Sequence, residues 1–152
     1  MSRRGPLLAQ GAAKVKIRCP EHDLDFGEAT YSAWLSTNAE FDTEWLRYGY
    51  SSLTTSSSTF DHNMKTREKK LLKREGVLGG FNAANYQAER HYATARDGVQ
   101  VPISLVYRKG LVKNGKNPCL LYGYGSYGAT TDADFSSARL SLLDYGLRRL
   151  RR

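Results

Sequence analysis

The stretch LLYGYGSYGATTDADFSSARLSLLDYG, residues 120–146, carries the pattern that decides the fold class. With Cys119 in front, it opens on an apolar run, CLLYGYG, and turns through Gly123, Gly125 and Gly128. It closes on DFSSARLSLLDYG, where Phe135, Ala138, Leu142 and, less regularly, Leu143 and Tyr145 fall near helical spacing. A buried strand followed by a helix is the entrance to an α/β domain.

Working upstream, RHYATARDGVQVPISLVYRKG (90–110) reads as a β-hairpin with Asp97-Gly98 as its turn. GVLGGF (76–81) holds three glycines in six positions and marks a break. Before it, the pattern is antiparallel. WLRYGYSSL (45–53) alternates, with Trp45, Arg47 and Gly49 on one face and Leu46, Tyr48 and Tyr50 on the other. STFDHNM, KTRE and KKLLKRE then read as strand, polar turn and charged edge strand, with Lys69, Lys70, Lys73 and Arg74 guarding the edge against unwanted pairing.

The bulk properties fit a globular chain: 152 residues, 40% hydrophobic, 11% aromatic, with Tyr the commonest ring. A net charge of +8 suggests nucleic acid until it is located. Arg3, Arg4, Lys14, Lys16 and Arg18 crowd one end, and Arg148, Arg149, Arg151 and Arg152 the other, leaving 14 basic against 15 acidic side chains between. The excess reads as two solvated tails, not a binding face, so neither nucleic acid nor a membrane is expected as partner. Cys19 and Cys119 lie too far apart in sequence to suggest a disulfide framework or a zinc knuckle, which favours a reducing compartment, the cytoplasm. The Arg-bearing, acid-free start leaves organelle targeting open.

GYGSYG (123–128) matches G-x-G-x-x-G, yet ATTDAD separates it from any helix, and Tyr124 and Tyr127 fill the space a phosphate would need. No cofactor and no metal is expected. No G-x-S-x-G elbow surrounds Ser126, and His22, His62 and His91 read as ordinary surface or strand residues. Asp132 and Asp134 bracket Ala133 ahead of the helical pattern. Their spacing reads first as helix capping, worth about 0.3–1 kcal/mol each, with recognition of a cationic substrate as the alternative. One carboxylate can do both.

Taken together, residues 120–146, FDTEWLRYGYSSLTT (41–55), LLKREGVLGGFNAANYQAER (71–90) and ATARDGVQVPISLVYRKG (93–110) resemble, in order, the oligopeptidase B group of the prolyl oligopeptidase family. The resemblance implies a β-rich mixed α/β fold: the last blade of a β-propeller joined to the first strands and helix of an α/β-hydrolase domain. It divides the chain into a poorly matched basic segment 1–29, propeller 30–77, hydrolase start 78–147 and a divergent Arg-rich tail 148–152. It implies a serine peptidase acting on short basic peptides. Tyr124 would donate to the oxyanion, Tyr127 would wall the substrate pocket, and Asp132 and Asp134 would favour basic residues near the cleavage site. The family continues after Gly146 with a hydrophobic strand and an R-G-G-G segment, where this chain has LRRLRR. The resemblance therefore implies that the catalytic Ser, Asp and His are missing and that the chain alone is inactive. A non-catalytic piece docking on a longer relative, or self-associating through exposed sheet edges, is the competing expectation.

Overall fold

Large and small residues alternating in WLRYGYSS can bury one face of a strand and leave the other wet. The computed structural model, which describes residues 22–144 and the backbone of 148–151, builds a sheet on that alternation. Strands β1 (Tyr31–Leu35), β2 (Trp45–Ser52), β3 (Ser58–Asn63) and β4 (Lys69–Arg74) form an antiparallel meander in sequential order. Tyr48, Tyr50 and Phe60 bury on one face, and Leu24, Phe26, Tyr31 and Ala33 pack against them. Phe26 stacks on Tyr50 at 5.3 Å and meets Tyr48 edge-on at 5.6 Å. Burial pushes the Tyr48 phenol up to about 12 and raises that of Tyr50 further, with Glu28 adding to the latter. Opposite this pile, Trp34 lies across Gly49, where a Cβ would come within 2.2 Å of the indole Cε2. That position accepts no side chain unless Trp34 moves.

The expected hairpin over 58–75 is present, and its turn is closed by Asn63, whose Oδ1 accepts from the backbone N–H of Lys65 and Thr66, both at 2.9 Å. As expected, β4 is an edge strand. Lys69 corrects the expectation of a simple edge guard. Its Nζ lies 4.4 Å from the centroid of Phe60 and within 6.0 Å of Phe26, Tyr48 and Tyr50. Each such contact contributes about 0.5–2 kcal/mol, depending on solvation. Desolvation lowers the Lys69 pKa, against an opposing pull from Asp25. Against the same sheet, His22 Nε2 stands 3.2 Å from Nε2 of the buried His62 on β3, a pairing the sequence did not suggest. Burial lowers the His62 pKa, helped by His22, Lys69 and Arg67.

Past the Gly-rich break, a 3-10 turn at Ala83–Asn85 leads into the second sheet. Strands β5 (Tyr86–Thr94) and β6 (Gln100–Arg108) form the expected hairpin, with Gly98 at φ 83 supplying the left-handed turn residue after Asp97. Strand β7 (Cys119–Tyr122) follows, then a 3-10 turn (Ser137–Arg139) running into the five-residue helix α1 (Leu140–Asp144), then β8 (Arg148–Arg151). The order is β5-β6-β8-β7.

Three expectations are corrected here. Arg148–Arg152 was expected as a solvated tail, yet the backbone of Arg148–Arg151 pairs antiparallel with Ser104–Val106 and parallel with Cys119–Tyr122. A strand there satisfies backbone groups that β6 and β7 would otherwise leave open. Strand β7, expected buried, is exposed throughout, because it borders the sheet and no second layer covers it among the described residues. The helix is shorter than its pattern, with Leu143 buried, Leu140 packed beside it, and Ala138 and Leu142 exposed. Phe135 instead meets Phe81 edge-on at 5.0 Å. Tyr145, Cys19 and the basic residues of the N-terminal segment lie outside the described residues.

The two sheets are joined by Leu53, from the β2–β3 turn, which packs with Tyr86, Val106, Ala133 and Leu143. Beside it, the Phe135 N–H donates to Ser51 Oγ at 3.1 Å. Truncation to Leu53→Ala is expected to cost about 2–5 kcal/mol, read as a lower urea midpoint. The loss should also raise hydrogen exchange at Phe135.

Candidate functional site

The loop between β7 and α1 carries all four residues singled out from the sequence. It leaves the end of β7 as Gly123-Tyr124-Gly125 and then makes a 3-10 turn, Ser126–Gly128. Inside that turn Tyr127 sits at φ 57, ψ 27, a left-handed conformation uncommon for a bulky residue. Such backbone costs of order 1–3 kcal/mol, and it turns the ring fully into solvent. The Tyr124 ring is half-exposed over an open depression lined by Leu121, Gly123, Tyr124 and Gly125. Its backbone carbonyl accepts from Thr131 Oγ1 at 3.2 Å, which closes the loop on itself.

Ala133 anchors the far arm of the loop by burying in the cluster shared with Leu53 and Leu143. The flanking carboxylates are thereby held near the surface, Asp132 exposed and Asp134 half-buried. Thr130 Oγ1 donates to Asp132 Oδ1 at 3.4 Å, and the Asp134 N–H donates to the Asp132 carbonyl at 2.9 Å. Helix capping, expected for these two acids, is overturned. The residue before the 3-10 turn is Ser136, which makes no side-chain cap bond, and α1 has no acid in its first turn. The Gly-rich turn likewise meets no helix, since the next helical residues begin at Ser137. Tyr124 shares a closed loop with the two acids, but Tyr127, Asp132 and Asp134 do not line the depression below Tyr124.

A second cluster, not foreseen from the sequence, fixes the segment that feeds this loop. Glu89 on β5 accepts both contacts of the Lys113 ammonium at 2.7 Å, a bond from His91 Nε2 at 2.8 Å, and one from the Tyr107 hydroxyl. Lys113 also lies 4.5 Å from the Tyr107 ring centroid. The 109–118 connection is thus held to the β5–β6 hairpin just before β7 begins. Alternation on β5 and β6 places Glu89 near Tyr107, but only the fold of the connection brings Lys113 to them. Among the described residues, no three His, Cys, Asp or Glu side chains gather as a metal site. No helix there is long and apolar enough to cross a membrane.

No protein-family model matches the chain. In sequence it is 49% identical over 121 residues to dipeptidyl aminopeptidase BI of Pseudoxanthomonas mexicana, a match covering 79% of this chain and 17% of that protein. It is 37% identical over 124 residues to protease 2 of Moraxella lacunata, covering 82% and 18%. Among solved structures, oligopeptidase B from Leishmania major superposes with a TM-score of 0.75 at 37% identity, over 86% of this chain and 18% of that one. The chain belongs to the prolyl oligopeptidase family. It spans less than a fifth of the length of these relatives.

The Lys113 ammonium first, then the Tyr107 hydroxyl and His91, hold the Glu89 carboxyl down to about 2. A carboxyl depressed on folding contributes stability that is complete above its unfolded value near 4.5 and disappears as the pH falls toward 2. Glu89→Gln should therefore destabilise the chain by roughly 1 kcal/mol at neutral pH, the scale of a solvent-screened ion pair. Thermal melts of the two proteins across an acid series should converge at the bottom of that window.

Proposed function

We propose that this chain is the substrate-cradling part of a serine oligopeptidase, joining the last blade of a β-propeller to the first strands and helix of an α/β-hydrolase domain. In the complete enzyme, short peptides are cut after Lys or Arg. The observation that carries this reading is the loop from β7 to α1, which exposes the Tyr124 phenol and keeps Asp132 and Asp134 on one arm anchored by Ala133. The parallel β7–β8 pair, bridged by α1, suits the opening of an α/β sheet. The antiparallel meander of β1–β4 suits a propeller blade.

Acyl transfer needs an attacking hydroxyl, a base beside it and donors where the oxyanion forms. In this proposal Tyr124 is one such donor, aided by a backbone N–H. A preplaced donor of this kind is worth about 2.7–4 kcal/mol. Asp132 and Asp134 offer carboxylates to a substrate guanidinium or ammonium, with Tyr127 as an apolar wall beside them. The attacking Ser, its His and the orienting Asp belong to polypeptide outside these 152 residues. The chain's two widely separated cysteines favour the cytoplasm.

Two measurements test the proposal. The purified chain should neither hydrolyse a fluorogenic Arg-Arg peptide nor react with a serine-directed fluorophosphonate probe. Grafted in place of the matching segment of the Moraxella protease 2, the same residues should support turnover. In that graft Tyr124→Phe should lower kcat by about 10²–10³ with little change in KM. Asp132→Asn with Asp134→Asn should cut kcat/KM by about 10–100-fold for Arg peptides, the scale of hydrogen bonds to charged groups, and spare neutral ones. An unchanged kcat in Tyr124→Phe removes the oxyanion role. Probe labelling of the isolated chain removes the assignment of the nucleophile to other polypeptide.

A further inference from the structure

The connection from β6 to β7 contains Asn114-Gly115, the one Asn-Gly pair in the chain. Both residues are exposed. Asn114 Oδ1 accepts two hydrogen bonds, from the Lys116 backbone N–H at 3.0 Å and from Asn117 Nδ2 at 3.2 Å. Asn117 Nδ2 is itself fixed by the Val112 carbonyl at 2.6 Å, and the Asn114 N–H donates to that same carbonyl at 3.0 Å. Gly115 has φ +80 and nothing within 4 Å of where a Cβ would stand. Its N–H makes no hydrogen bond among the described residues.

We infer that Asn114 is a site of spontaneous covalent modification, converted through a cyclic imide to aspartate and isoaspartate. The Gly115 nitrogen, losing its proton to hydroxide, attacks Cγ of Asn114. The new C–N bond forms, charge gathers on Oδ1, and the Cγ–Nδ2 bond breaks to release ammonia. Water then opens the imide. Attack at Cγ restores a normal linkage carrying an aspartate, and attack at the backbone carbonyl leaves an isoaspartyl link with one more methylene in the main chain.

Two features of this turn serve that chemistry beyond the dipeptide alone. The Lys116 N–H and the Asn117 amide sit as preplaced donors on the oxygen that becomes negative, an oxyanion site built from the loop's own groups. Glycine leaves the attacking nitrogen unshielded by any side chain. The consequence falls on the neighbouring latch. The product carboxylate, or the lengthened main chain, stands one residue from Lys113, whose ammonium otherwise grips Glu89. Modification therefore loosens the connection that leads into β7.

The test is incubation of the full chain in mildly alkaline buffer, followed by peptide mapping with electron-transfer fragmentation, which separates aspartate from isoaspartate. Asn114 should convert several-fold faster than Asn38 and Asn82, both exposed and neither followed by glycine. Asn117→Ala, which removes one donor from Oδ1 at a half-buried position, should slow conversion at Asn114. Gly115→Ala should slow it further. Survival of the Asn114 amide while other asparagines react would overturn the assignment. An unchanged rate in Asn117→Ala would overturn the role given to the donors.

Discussion

Leu53 enters the second sheet from the turn that ends β2, and the other contacts between the halves gather around it. It shares one buried cluster with Tyr86 of β5, Val106 of β6, Ala133 of the β7–α1 loop and Leu143 of α1, so a single apolar cluster ties these four segments to the meander. Fully burying such a residue is worth about 1.5–3 kcal/mol. The Phe135 N–H to Ser51 bond, Phe81 stacked on Tyr86, and the Tyr86 hydroxyl donating to Asp144 at 2.7 Å surround it with directional contacts. An apolar plug with polar edges fixes orientation as well as proximity, because a hydrogen bond constrains angle where burial alone does not.

This arrangement explains why the candidate site hangs where it does. Ala133 belongs to the same cluster, so the arm bearing Asp132 and Asp134 is tied to the joint between the sheets. The other arm begins on β7, whose approach is held by Glu89, Lys113 and Tyr107. A loop fixed at both ends by different physics, burial on one side and ion pairing on the other, can expose Tyr124 and Tyr127 without collapsing. Loops that carry function on a rigid scaffold have this general form.

Much of the fold was legible because the signals were local. Period-two alternation in 45–53, the Asp97-Gly98 turn and the break at 76–81 each act within a few residues, and each became the expected strand, hairpin or boundary. The candidate site residues came from the resemblance to the family, not from spacing. From spacing alone Asp132 and Asp134 read first as caps, and the late start of the helix, at Ser137, removes that reading.

The amino-acid sequence by itself determined that 45–52, 58–74 and 86–108 form strands joined by turns, because backbone preference and side-chain periodicity are properties of neighbouring residues. Tertiary structure alone decided where Lys69 rests, what Glu89 accepts, and that Arg148–Arg151 pairs between β6 and β7. A cation settles over rings, and a carboxylate gathers donors, only when strands distant in the chain bring those groups within a few ångströms. Likewise an Arg-rich segment becomes a strand when two others leave backbone N–H and C=O groups that must be satisfied.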